Sequence, residues 1–511
     1  MFVKLNAFSL IGIEALPVQV EVDCAESEQA KTIIVGLPET VVRESVYRIE
    51  RAVENSKYVF PLARNIINLA PADLPKQASC FDLPIALGIL TATGQISGDR
   101  FGGCAVVGEL ALDGSLRSVK GALPMTLATR ELGITQLILP AENAAEAAVV
   151  EGLNVFPVRS LTEAAAFLTG QIDIAAEPPV DLNVFEDVSA YDVDFADVRG
   201  QETAKRAMTI AAAGGHNLLM IGPPGTGKTM LAKRFATLLP KLSLEESLET
   251  TRVFSVLGYL TKEKPLIAVR PFREPHHTIS EPGLAGGGSP PKPGEISLAH
   301  NGILFLDELP EFSRQTLEVL RQPLEDGYVT IARAAHTSRF PANFILLAAL
   351  NPCPCGYRND PRRECRCSFN QIERYMNRIS GPLLDRIDIH IEVPPVKYEE
   401  LSAAAPGVSS AAMRQQVLAA RKFQKQRFAR SKTKDNAEMT HGEIVKYCAL
   451  SEQGHSLLKT AMEDFGLSGR AHDKILRIAR TIADLESLPD ITPMHLFEAV
   501  TYRTLDRKLW R

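Results

Sequence analysis

Residues Gly222, Pro223, Pro224, Gly225, Thr226, Gly227, Lys228 and Thr229 form the run GPPGTGKT, after the apolar stretch Leu218 to Ile221 and before a helical pattern from Leu231 to Leu239. Glycines in such a run let successive backbone N–H groups wrap phosphate oxygens at a helix N-terminus, where the helix dipole also favours negative charge. Lys228 would neutralise β and γ oxygens, and Thr229 would ligate Mg²⁺. Further on, the apolar run Ile303 to Leu306 ends in Asp307 and Glu308, at the strand end where open α/β sheets place ligands. The expected chemistry is phosphoryl transfer from Mg·ATP to water, with Asp307 as a second Mg²⁺ ligand and Glu308 polarising the attacking water.

Three other polar residues fit the same chemistry. Asn351 ends the apolar run Phe344 to Leu350 and is suited to orient water, although a plain turn before Pro352 has the same spacing. Arg386, in the run GPLLDRID from Gly381, and Arg470, which follows Ser468 and Gly469 before a periodic helix, are cations of the kind that stabilise charge developing on a transferred phosphoryl group. Either could equally be a surface ion pair.

Cys353, Cys355, Cys365 and Cys367 crowd into one short segment, while Cys24, Cys80, Cys104 and Cys448 are scattered. Two C-x-C pairs in a Gly-, Pro- and Arg-rich loop favour a tetrahedral structural Zn²⁺ site over four unligated thiols. His276 and His277 have no third ligand at a suitable spacing and are taken as loop residues.

These groups need elements to hold them. Residues 196–395 alternate apolar strand candidates with helical patterns, which predicts a parallel sheet covered by helices. Residues 1–170 predict a separate mixed α/β domain, with Val18, Val20 and Val22 alternating as in a strand. Between them, residues 171–195 are acidic and contain Pro178 and Pro179, as expected of a linker. Residues 396–511 have helical periodicity, as at Ile475, Ile478, Ala479 and Ile482, and predict a helical lid.

At 511 residues, 45% of them hydrophobic and 23% charged, the composition is that of a multidomain globular protein and excludes a disordered chain. Met1 to Cys24 does not resemble a secretory signal, and no apolar run reaches the roughly 18 residues of a membrane span. A cytoplasmic location is expected. A net charge of -5 does not favour nucleic acid by itself, yet Arg414 to Lys434 holds eight Lys or Arg and no acid, with Phe423 and Phe428 among them. That run is either a nucleic-acid surface or an ordinary solvated basic helix.

Taken together, the motifs resemble those of the Mg-chelatase-like AAA+ ATPases of the ComM/YifB family. The resemblance covers essentially the whole chain and rests on RPFREPHHTIS from Arg270, GEISLAHNGILFLDE from Gly294, NPCPCG from Asn351, SGPLLDRID from Ser380 and IARTIADL from Ile478. It implies sensor 1 at Asn351, a trans-acting arginine finger at Arg386 and sensor 2 at Arg470, with ATP between subunits of a hexameric ring. It implies that Phe272 to Gly288 and a hairpin from Val329 to Phe340 face a central pore. Arg333 and Arg339 in that hairpin would hold phosphates of single-stranded or branched DNA, unless the hairpin is an ordinary surface one. The activity implied is ATP-driven DNA branch migration that aids integration of single strands during natural transformation.

Two other readings stand beside this one. A Mg-chelatase motor subunit would use the same engine with a partner chain, but it would not be expected to carry a fused N-terminal domain and lack a D-x-S-x-S motif. VGELALDGSLR from Val107 and GITQLILP from Gly133 resemble the Lon protease domain, a ribosomal-S5-like α+β fold, so an ATP-dependent peptidase is the third. Its serine position falls near Cys80 and its lysine position near Leu123 to Met125, where no lysine stands. Without that base a peptidase would lack its activating step, although Lys76 and Ser79 lie close in sequence.

Overall fold

The computed structural model of the chain describes residues 2–505 except positions 26, 28–30, 77–78, 99, 181–190, 333–336, 359, 361–362, 397–398 and 400–406. It is a mixed α/β structure with a parallel-sheet core and a helical C-terminal region.

The N-terminal part is built on a seven-stranded sheet. Its strands are β1 (Phe2–Ile11), β2 (Glu14–Ala25), β3 (Lys31–Val35), β4 (Arg64–Ala70), β5 (Cys104–Val106), β6 (Gln136–Pro140) and β7 (Asn154–Val158). Their order is β3-β4-β2-β1-β5-β6-β7, with β1 and β2 an antiparallel hairpin in continuous register from Phe2 opposite Asp23 to Ile11 opposite Glu14. Val18, Val20 and Val22 point into the core, as their alternation requires. Helix α1 spans Thr40–Asn55, and α2 (Asp82–Ala92) is buried along its whole length. That burial suits its nearly all-apolar sequence, and Gly88 permits the close approach: a Cβ there would stand 2.6 Å from Val22 Cγ2.

The second part carries five parallel strands: β8 (Leu218–Ile221), β9 (Phe272–Arg273), β10 (Ile303–Leu306), β11 (Ile345–Leu350) and β12 (Ile389–Glu392), in the order β9-β10-β11-β8-β12. All four residues of β8 and of β10 are buried, because helices cover both faces, and this explains their continuous apolar runs. The hairpin Tyr328–Ala332 and Thr337–Pro341 leaves the sheet before β11.

The C-terminal helices Ser410–Arg427, Gly469–Leu485 and Pro493–Thr501 pack with helix Glu202–Gly214 into one core. This packing absorbs part of the basic run. Arg421 Nη2 donates to the Ala212 carbonyl at 2.8 Å, Arg427 Nη1 pairs with Asp484 at 2.8 Å, and Phe428 is buried, whereas Lys422, Phe423, Lys425 and Arg430 are exposed.

The two parts meet at helix Leu244–Leu257. Its Ser255 hydroxyl bonds the buried Glu146 carboxylate, its Ser255 carbonyl accepts from Gly121 N at 3.0 Å, and Arg252 Nη2 reaches the Ile13 carbonyl at 3.5 Å. The β1–β2 turn lies on the hairpin, where a Cβ on Gly12 would stand 3.4 Å from Ser338 Cβ. Among the described residues no helix is long and apolar enough to cross a membrane.

Candidate functional site

Strand β8 delivers the phosphate loop to the carboxyl end of the sheet, between β11 and β12. Ligands of open α/β folds bind outside the carboxyl ends of the strands, where the order of the strands reverses. Gly225 and Gly227 adopt left-handed φ of 76° and 88°, conformations that side chains with a Cβ disfavour. Lys228 opens the helix Lys228–Phe235 and folds back, its Nζ donating to the carbonyls of Gly222 (2.8 Å) and Pro223 (3.0 Å) and to Asn351 Oδ1 (3.2 Å). Burial pulls the Lys228 ammonium below its ordinary pKa, opposed by Asp307 and Glu308.

Gly222 is held against the end of β12. A Cβ there would lie 2.3 Å from the Val393 carbonyl oxygen, which no side chain tolerates without a shift of backbone. Gly222→Ala is therefore expected to cost ~1–3 kcal/mol of stability by overpacking. It should also weaken nucleotide binding about ten-fold by displacing the loop. Thermal denaturation and titration with a fluorescent ATP analogue read the two effects, and unchanged affinity would show that the loop position tolerates the shift.

The ends of β10 and β11 supply the remaining groups. Thr229 Oγ1 donates to Asp307 Oδ2 at 2.6 Å. Two cis ligands of an octahedral Mg²⁺ stand about 3.0 Å apart at ~2.1 Å from the ion, so this pair can hold that ion with a small adjustment. Glu308 has a left-handed φ of 51°, unusual for a residue with a Cβ, and its amide donates to Asp307 Oδ1 at 2.9 Å. Its carboxylate stands 3.5 Å from His277 Nδ1, and the His277 ring meets Phe312 edge-on. His277, taken above as a loop residue, therefore touches the site. The contact spans two distant segments and leaves no local pattern in the sequence.

Thus Lys228, Thr229, Asp307 and Asn351 converge, with Glu308 beside them. Arg386 and Arg470 lie elsewhere. Both line a cleft of about 720 Å³ with Glu325, Asp388, Lys474 and Arg477. Arg386 pairs with Glu325, and its Nη1 donates to the Pro382 carbonyl at 2.7 Å. Lys474 holds Asp388 at 2.8 Å, just before β12. Because Ile389 is level with Leu218 and Glu392 with Ile221, roughly 10 Å of strand separates this end of the sheet from the phosphate loop.

The four thiols of Cys353, Cys355, Cys365 and Cys367 lie within 4.8 Å of one another. Three of their separations are 3.3, 3.7 and 3.6 Å. Four sulfurs at ~2.3 Å from one tetrahedral ion would stand about 3.8 Å apart, so the cluster fits a Zn²⁺-sized ion. Arg339 is exposed on its hairpin strand, its guanidinium 4.7 Å from the Tyr328 ring centroid, and Arg333 lies outside the described residues.

In the N-terminal part, Cys80 is buried, bonds the Phe8 carbonyl, and has its thiol pushed up to about 12 by burial. A thiol so held is no nucleophile. Lys76 donates to the Pro71 carbonyl, while the Ser79 hydroxyl bonds Glu109. The described contacts therefore pair neither Lys76 nor any other lysine with Ser79.

Comparison with known proteins agrees with this architecture. Residues 194–401 match the family model described as magnesium chelatase, subunit ChlI. Residues 20–143 match subunit ChlI of Mg-chelatase, and residues 407–503 match the ChlI C-terminal model. The chain is 44% identical to the protein YifB of Salmonella typhimurium over 500 residues, 98% of this chain and 96% of that one. It is likewise 44% identical to YifB of Escherichia coli, over 98% of this chain and 96% of that one. The competence protein ComM of Haemophilus influenzae is 44% identical over 510 residues, covering 98% of this chain and 97% of ComM. The chain belongs to the ComM/YifB family of Mg-chelatase-like AAA+ proteins.

Proposed function

We propose that the chain is a ring-forming ATPase that hydrolyses Mg·ATP between neighbouring subunits and uses the cycle to translocate and branch-migrate DNA, aiding integration of single strands. The observation that carries this reading is the split site: one end of the sheet holds Lys228, Thr229, Asp307 and Asn351, and the other holds Arg386 and Arg470. A second copy placing its cleft over the phosphate loop of the first would complete the constellation. A hexamer is the ring we propose.

In this reading the backbone of Gly222 to Gly227 and the Lys228 ammonium bind the phosphates, and Thr229 and Asp307 would hold Mg²⁺, which would neutralise phosphate charge. Glu308 accepts a proton from the attacking water, Asn351 orients that water, and the neighbour's Arg386 and Arg470 face the charge that develops. Cys353, Cys355, Cys365 and Cys367 hold a structural Zn²⁺, since four protein thiolates leave no open position. Arg333 and Arg339 contact DNA phosphates, without sequence readout. The protein would work in the cytoplasm.

DNA is the substrate best supported because similarity to a competence protein runs over nearly the full chain. The fused N-terminal domain no longer argues against a chelatase motor, because that domain itself matches a ChlI model. The experiment that separates the readings is ATP-dependent strand displacement on a synthetic three-strand junction, with Lys228→Ala as control. Resolution is expected from the intact protein and from no sample lacking ATP. ATP hydrolysis that neither moves the junction nor responds to DNA would remove the DNA reading.

A further inference from the structure

The loop carrying the four cysteines departs directly from a residue of the nucleotide site. Asn351 accepts from Lys228 Nζ at 3.2 Å, and Cys353 follows it by two positions and is fully buried. The loop then turns back: Gly356 N donates to the Cys353 carbonyl at 2.9 Å, and Gly356 has φ of 84°. This turn presses on the phosphate loop. A Cβ at Gly356 would lie 2.6 Å from Pro224 Cδ, 2.7 Å from Pro224 Cγ and 3.9 Å from Asn351 Cγ. Tyr375 is buried, its phenol at the Asn351 backbone and held above the ordinary pKa by burial first and then by Glu311 and Glu308.

We infer that the cysteine knuckle is a positioning element of the ATP site: an ion held by the four thiols fixes Gly356 against Pro224 and Asn351 beside Lys228, so metal occupancy sets nucleotide affinity and turnover. The inference rests on the zinc and ATPase readings proposed above. Its physical basis is that Gly356 packs closely on Pro224, and Gly356 closes a turn of four residues from Cys353 with two thiols in it. A loop without regular structure holds such a place only if something closes it, and the thiol spacings are those of a closed metal knuckle. Asn351 and the phosphate loop would otherwise drift relative to each other, and a misplacement of ~1 Å in a catalytic constellation costs about 100-fold.

The test uses the full-length protein, purified under reducing conditions, with zinc measured by elemental analysis. One zinc per chain is expected. Removing it with a thiol-directed mercurial and then excess dithiothreitol and chelator should weaken binding of a fluorescent ATP analogue and lower ATP turnover, each about ten-fold or more, with recovery on adding Zn²⁺. Gly356→Ala keeps all four thiols, so it should keep its zinc yet show the same two losses. Absence of bound zinc overturns the inference together with the zinc reading. Full zinc content in the purified protein, with nucleotide affinity unaltered when the zinc is removed from a chain that keeps its thermal transition, overturns the coupling alone, whatever Gly356→Ala does. If the metal-free protein loses its thermal transition, Gly356→Ala decides. If the wild type hydrolyses no ATP, the ATPase reading fails and nucleotide affinity still decides the coupling.

Discussion

Glu308→Gln is expected to lower ATP turnover by about 10²- to 10⁴-fold while leaving nucleotide affinity within a few-fold of the wild type. Glutamine preserves the shape and the hydrogen-bonding oxygen but cannot take a proton from water. The groups proposed to bind the phosphates and Mg²⁺ are separate: Lys228 is anchored to the loop carbonyls, and Thr229 reaches Asp307, not Glu308. The backbone of Glu308 already holds a left-handed φ of 51°, which glutamine tolerates no worse than glutamate. A coupled ATPase assay beside titration with a fluorescent ATP analogue separates the two quantities. Turnover within about three-fold of wild type would remove Glu308 from the role of base, because general base catalysis contributes far more than that. Loss of binding equal to loss of turnover would instead mean that the substitution had disturbed Asp307, whose Oδ1 accepts from the Glu308 amide.

How much of this was legible in the sequence depends on the range of the contacts. Strands β8 and β10 were placed at their bounds because a parallel strand buried on both faces is a continuous apolar run, and each is followed at once by the chemistry it presents. Strand β9 was not foreseen. It is two residues long, and only its pairing of Phe272 with Ile303 makes it a strand, so no periodicity could announce it. The Phe428 side chain illustrates the opposite error of composition: an aromatic between basic residues suggests stacking on bases, yet here it fills the core. His277 against Glu308 and Gly356 against Pro224 are meetings between distant segments, which no local spacing encodes. The cysteines were legible as a cluster because all four thiols come from one short segment. Their bearing on the phosphate loop was not.

Mixing two inactive variants should restore activity, and this is the sharpest consequence of the split site. In the proposed ring, Lys228→Ala removes the cation that would bind phosphates in its own subunit, whereas Arg386→Ala removes a cation that would serve a neighbour. Arginines in this role contribute about 10³- to 10⁵-fold to turnover, so each variant alone should be nearly inactive. In an equimolar mixture assembled at random, about one quarter of the interfaces join an intact Lys228 to an intact Arg386, so about that fraction of wild-type ATPase should return. The alternative is that Arg386 acts within its own chain. That would require it to leave Glu325 and the Pro382 carbonyl and cross the length of β12, since the phosphate loop lies at the other end of the sheet. In that case no interface of the mixture would be complete and activity would stay at the level of the separate variants. Breaking the Arg386–Glu325 pair instead, by Glu325→Gln, releases the guanidinium without deleting it. A variant that retains most of its turnover would show that the pair parks the arginine between subunit contacts and is not itself part of the chemistry.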